Sequence, residues 1–131
     1  MIKLIFKIIA FVGIGALPTA GAFGQAPIRN VTTVQSVNLE RYAGKWFEIG
    51  KYPNKFQKKC IGNTSATYSL KSNGRIEVRN ECLLKDGKVD IAVGEAKVAD
   101  TKTNAKLKVR FAPGALSFLP FVWGNYWIID L

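Results

Sequence analysis

The residues that most often carry chemistry are scarce in this chain, and the gaps decide as much as the residues present. Among its 131 residues there is no histidine, so the commonest general base and the Ser-His and Cys-His nucleophile pairs cannot be assembled. Cys60 and Cys82 are the only thiols. Without histidine they make no recognisable zinc pattern, and no metal or cofactor is expected. Glu77 and Glu81 fall on alternate positions of "RIEVRNEC" with Arg79 between them, which fits a solvated strand face better than an acid-base pair. A thiol enzyme stays open as an alternative, and it requires that one cysteine be free and reactive. Binding is the expected business of the domain.

The ends of the chain bear on where that binding takes place. Lys3 and Lys7 flank the start of an apolar run, IIAFVGIGAL (residues 8–17), followed by the small residues of TAGAFGQA. This charged, apolar, small-residue order is that of a secretory signal peptide. The run falls short of the roughly 20 apolar residues that a membrane span needs, so residues 1–24 are expected to be a cleaved leader, with an uncleaved anchor as the alternative. No cysteine lies near that junction. The expected product is exported and not N-terminally lipidated. In an oxidising compartment the two cysteines can pair; two unpaired core residues are the other reading. The formal charge of +10 becomes +8 when Lys3 and Lys7 are removed (10 − 2), a balance that favours anionic surfaces. Because the cations fall singly on alternate positions of "IEVRN" and "KLKVRF", a solvated outer face explains them and no nucleic-acid partner is expected.

The elements that must position any site are strands. Residues 25–38 carry no sustained periodicity and read as an N-terminal arm. From there the period is two, with strands expected over 45–51, 63–71, 75–82, 88–98, 104–111 and 125–131. Ile76, Val78 and Cys82 share one face against Glu77, Arg79 and Glu81, and Ala105, Leu107, Val109 and Phe111 oppose Lys106, Lys108 and Arg110. The Asn-Gly and Asp-Gly pairs between runs predict hairpins with type I′ turns. Counting outward from Asn73-Gly74 places Cys82 opposite Ser65, so a Cys60–Cys82 bridge requires the chain before residue 63 to fold back. Consecutive hairpins with one apolar face favour closure on themselves, and a barrel of about eight strands can hold one small ligand.

Such a barrel needs a plug at its shut end, and in "LERYAGKWFEI" (residues 39–49) Trp46 supplies a large rigid ring while Gly44 allows a tight backbone turn beside it. This stretch resembles the first conserved motif of the lipocalins. "YPNKFQKKC", "ATYSLKSNGRIEVRNEC", "GEAKV", "KLKVRF" and "NYWIIDL" follow in the same order and spacing, and the resemblance over residues 39–131 is to the bacterial lipocalins and the apolipoprotein D group. It implies an all-β, antiparallel up-and-down lipocalin β-barrel, preceded by a signal-peptide helix. It also implies a fatty acid or lysophospholipid as ligand, and storage or transport in the cell envelope, at the periplasm or outer-membrane periphery, under stress. Residue Leu131 falls at the equivalent of the sixth strand, so the barrel is expected to be incomplete, about six strands of eight, without the family's late Arg and helix. In some relatives the Cys near this position pairs with one in the C-terminal segment. Some members do chemistry with a pocket thiol; an envelope interaction protein is the third possibility.

Alternation turns Tyr68 and Leu70, Val78, and Leu107, Val109 and Phe111 inward as ligand-binding candidates, and the resemblance adds Trp127. In an up-and-down barrel alternate loops share one end. The loops at 52–62 and 83–88 would bring Lys55, Lys58, Lys59, Lys85 and Lys88 to the mouth, and the loop at 112–124 would bring Phe118, Leu119, Phe121 and Trp123. Cations beside apolar side chains are what an anionic membrane surface attracts, and the mouth is expected to dock there; a lid folded inward is the alternative.

Overall fold

Clean alternation over residues 75–82 and 105–111 favours a sheet with two distinct faces. The structure, a computed structural model, describes residues 4–7, 31–53, 57–111, 119 and 122–131. Its elements are β1 (Leu4–Lys7), a one-turn helix α1 (Leu39–Tyr42), β2 (Gly44–Lys51), β3 (Cys60–Leu70), β4 (Ile76–Leu84), β5 (Val89–Val98), β6 (Lys106–Arg110) and β7 (Gly124–Trp127). The strands form one sheet in sequence order. The pairs from β2 to β7 are all antiparallel. The expected six-strand antiparallel half-barrel is therefore present, and among the described residues no pairing joins β7 back to β2.

β1 corrects the helix expected over the leader, as far as it is described. Leu4–Lys7 lies parallel to β2 along its outer edge, with Leu4 opposite Phe47 and Lys7 opposite Lys51. A short apolar run with strand propensity meets an edge with free backbone groups, and a ladder satisfies both. The rest of the leader and residues 25–30 of the arm lie outside the described residues.

The hairpins correct the turn type. Lys71 N–H donates to Arg75 O (2.8 Å) and Leu84 N–H to Lys88 O (2.8 Å), so each loop has three residues, Ser72-Asn73-Gly74 and Lys85-Asp86-Gly87. Only the glycines take positive φ there, +76° and +82°. The preceding Asn73 and Asp86 instead accept backbone N–H groups two residues on, from Arg75 (3.0 Å) and Lys88 (3.1 Å). The longer loop shifts the β3–β4 register by one, so Ser65 faces Glu81 rather than Cys82. Two irregularities, between Cys60 and Gly62 and between Gly62 and Ser65, then fold β3 back and bring the Cα atoms of Cys60 and Cys82 to 5.6 Å, where the disulfide forms.

The core occupies the base of the concave face. Trp46, Ala66, Tyr68, Ile76, Val78, Ala96, Leu107, Tyr126 and Ile128 are all buried. The arm seals them from below: Val34 N–H donates to Ile128 O (3.0 Å), Val37 N–H to Thr103 O (2.7 Å), and Asn104 Nδ2 to Val37 O (3.3 Å). The outer face is less uniformly wet than expected, since Phe47, Ile49, Ile61, Val89, Ile91 and Val93 are exposed on it. Alternation marks two faces, but on β2 and β5 both are partly apolar.

Candidate functional site

The site is built up from the turn before β2. Asn38 caps α1, its Oδ1 accepting from Arg41 N–H at 3.0 Å. After that single turn the chain reverses through Gly44 at φ +104°, a conformation that a side chain would strain. The reversal lays Trp46 against the residues just before it. Its indole Nε1–H donates to Tyr42 O at 2.7 Å, and its ring lies 4.7 Å from that of Tyr42, centroid to centroid.

Three phenols complete this base. The ring of Tyr42 is 5.2 Å from that of Tyr68, which is 6.1 Å from Tyr126. Tyr68 Oη–H donates to Tyr126 Oη at 3.0 Å, and the Tyr42 and Tyr126 hydroxyls are hydrogen-bonded at 2.7 Å. Burial raises the ionisation of all three above the ordinary tyrosine value, and for Tyr42 and Tyr68 a charge on Tyr126 would raise it further. For Tyr126 the hydrogen bonds with its two neighbours pull the other way. These are polar groups kept neutral, dry and mutually satisfied. The cluster can fix the floor of a binding site: its three phenols are bonded to one another, and there is no free thiol beside it.

Above the base the expected lining residues separate. Tyr68, Val78 and Leu107 are buried on the concave face with Trp46, and Val109 packs partly buried against them. Phe111 also lies on this face, its ring so close to Gly94 that a Cβ there would fall 2.6 Å from its Cδ1, yet it is 45% exposed. Leu70 has the inward parity but is 44% exposed, because it is the last residue of β3 and the sheet ends at the hairpin. Trp127 is corrected outright. Leu107 pairs with Tyr126 and Lys106 with Trp127, so the tyrosine points in and the tryptophan out, with the Lys106 ammonium 5.0 Å from its ring centroid. The run "YWII" is apolar at every position, and nothing in its alternation shows which side faces the core.

The expected mouth is only partly assembled. Lys55, Phe118 and Phe121 lie outside the described residues. Lys58 and Lys59 are exposed and Leu119 is half-buried; Lys59 Nζ pairs with Asp90 at 2.8 Å. Trp123 is elsewhere, against Lys97, at 4.4 Å from ammonium to ring centroid. Asp90 and Lys97 are seven residues apart on β5, about 23 Å at the usual strand rise, so Trp123 and Lys59 do not share one surface. The slant of the strands, which sets Val109 level with Ala96 and Ile76, carries the start of β7 towards the 71–75 hairpin.

Three site residues escaped the reading of the sequence. Tyr42 sits in a single helical turn with no period, and Tyr126 in the uninformative apolar run. Glu48 was passed over although its spacing, two residues past Trp46 on the same face, could have marked it. It is held by Lys51 Nζ at 3.1 Å and Gln57 Nε2 at 3.2 Å. Among the described residues no cluster of side chains suited to a metal occurs. Both cysteines are used in the disulfide, which removes the nucleophile that a thiol enzyme would need.

Comparison with known proteins agrees with this geometry. Residues 37–131 match the model of the lipocalin-like domain family. The chain is 42% identical over 103 residues to temperature-induced lipocalin-1 of Arabidopsis thaliana, covering 77% of this chain and 54% of that protein. It is 38% identical over 112 residues to apolipoprotein D of Cavia porcellus, covering 85% and 57%. Against apolipoprotein D of Macaca fascicularis the identity is 32% over 130 residues, covering 98% and 64%. The chain thus spans between half and two thirds of the length of these curated relatives.

Proposed function

The chain belongs to the lipocalin family, and from that premise we propose that it binds a small hydrophobic ligand, a fatty acid or a lysophospholipid, for storage or transport in a bacterial cell envelope. The supporting observation is the apolar cluster of the concave face, which runs from the floor at Trp46 and the three tyrosines through Val78, Leu107 and Val109 to the half-exposed Phe111. An acyl chain gains about 0.8 kcal/mol per methylene removed from water. About ten buried methylenes therefore reach the roughly 8 kcal/mol of micromolar binding without any dedicated polar contact. Tyr68, Val78, Leu107, Val109 and Phe111 are the contacts proposed, with Leu70 at the rim.

Residues 1–24 are proposed as a leader, which places the domain outside the reducing cytoplasm, in the periplasm or at the outer-membrane periphery. A disulfide accords with such a compartment. An anionic membrane is the proposed partner for loading or delivery.

Titration with a long-chain fatty acid and with a lysophospholipid, followed by tryptophan emission, tests the carrier reading. The expected result is a saturable change, with Phe111→Ala weakening affinity about tenfold by removing part of an aromatic contact. Unchanged emission of the folded protein with either lipid would remove the support for carriage.

A further inference from the structure

The outward positions of β5, β6 and β7 form a surface that the ligand-binding face does not explain. Lys97 lies directly opposite Lys108, Lys108 opposite Asn125, and Lys106 opposite Trp127. Like charges directly across a strand pair destabilise it, and here no cross-strand acid relieves them. Among the described residues Lys97, Lys106 and Lys108 make no ion pair; Asp100 feels Lys106 only at longer range. The carboxylates at the border are already engaged, Glu95 by Arg110 at 2.9 Å and Glu77 by Lys71 at 3.8 Å.

Two tryptophans stand among these cations. Trp123 has Lys97, Arg110 and Arg75 at 4.4, 5.1 and 5.5 Å from its ring centroid, and Trp127 has Lys106 at 5.0 Å. Ring faces that already carry ammonium and guanidinium groups are poor platforms for stacking nucleic-acid bases. Indoles flanked by lysines are instead the composition found where protein meets the headgroup layer of a bilayer.

We propose that the outer face of β5–β7 is the docking surface for an anionic phospholipid bilayer, with Lys97, Lys106 and Lys108 neutralising headgroup phosphates and Trp123 and Trp127 entering the interface. The half-barrel then lies side-on to the membrane rather than mouth-down. Phosphate charge at the surface relieves the Lys97–Lys108 repulsion, so docking and sheet pairing favour each other. This deepens the carrier reading and rests on it for its purpose, while the binding itself is measurable without cargo.

Co-sedimentation with vesicles of phosphatidylcholine alone and of phosphatidylcholine mixed with phosphatidylglycerol tests it. The protein is expected to pellet with the mixed vesicles only, less so as salt is raised. Lys97→Gln/Lys106→Gln/Lys108→Gln together should weaken that binding on the order of a hundredfold, at the usual contribution of a basic residue near an anionic leaflet. Lys58→Gln/Lys59→Gln should change it by less than about twofold, since neither lies on the docking face. Brominated lipids should quench emission of the parent protein and not of Trp123→Phe/Trp127→Phe, whose remaining Trp46 is buried at the base. Equal pelleting with both vesicles, an unaffected triple variant, or loss carried by the Lys58/Lys59 pair would each overturn the proposal. Fatty-acid titration of the same variants without vesicles reports cargo binding separately, so failure of carriage and failure of docking are told apart.

Discussion

Tyr126 holds the middle place among the buried hydroxyls, since both Tyr42 and Tyr68 bond to it, at 2.7 and 3.0 Å. Each of those phenols is at most 7% exposed, so no bulk water replaces a lost partner, and an unsatisfied buried hydroxyl costs about 1–3 kcal/mol. Tyr126→Phe deletes two hydrogen bonds and leaves Tyr42 and Tyr68 with only each other. Tyr42→Phe deletes the bond at one end. Urea unfolding is therefore expected to show a loss of about 2–3 kcal/mol for the central variant and about 1–2 kcal/mol for the terminal one. Equal losses would mean that the hydroxyls are satisfied independently and that the ring contacts alone hold the base. Trp46 differs in kind: its Nε1–H is spent on the carbonyl of Tyr42, so it ties α1 to β2 as well as filling space.

At the scale of elements, the β3–β4 hairpin is pinned at both ends, by the Gly74 turn and by the disulfide. A bridge with a sequence separation of 22 restricts the unfolded chain enough to add about 3 kcal/mol on the chain-entropy model. Cys60→Ser/Cys82→Ser should lose that much in urea, and hydrogen exchange should quicken first at the Cys60 end of β3, where two irregularities already thin the ladder. Uniform loss of protection along both strands would contradict the local role. β4 and β6 were legible in the sequence because each has an apolar face and a charged one. The hairpin turns were misread because Asn73 and Asp86 spend their side chains on backbone N–H groups and leave the positive φ to glycine alone; one extra loop residue then moved the register. The side of β7 that faces inward could not be read from "YWII", so a resemblance put Trp127 where Tyr126 stands. The position of Trp123 depends on strand slant, which local alternation does not encode.

Across the whole molecule, the base is where separate parts of the chain meet: the arm through Val37, α1 through Tyr42, β2 through Trp46, β3 through Tyr68, β6 through Leu107 and β7 through Tyr126. Three of the four tyrosines in the chain are in it, which links folding to alkaline pH. Their folded-state ionisation lies above the ordinary value, chiefly through burial. Below about pH 10 the phenols are protonated in both folded and unfolded chains, and this contribution to stability is fully present. Above it the unfolded chain releases three protons that the folded one retains, so the unfolded state gains and stability falls as pH rises towards the folded-state values. Each group steepens that fall by about 1.4 kcal/mol per pH unit, about 4 kcal/mol per unit for the three together. Tyrosinate absorbance followed alongside sheet circular dichroism from neutral to strongly alkaline pH should therefore show the signal of three tyrosines arriving in one step, together with loss of the sheet. Gradual ionisation of all three while the sheet signal persists would mean that water reaches the base in the folded protein, and the floor of the proposed ligand site would then be open.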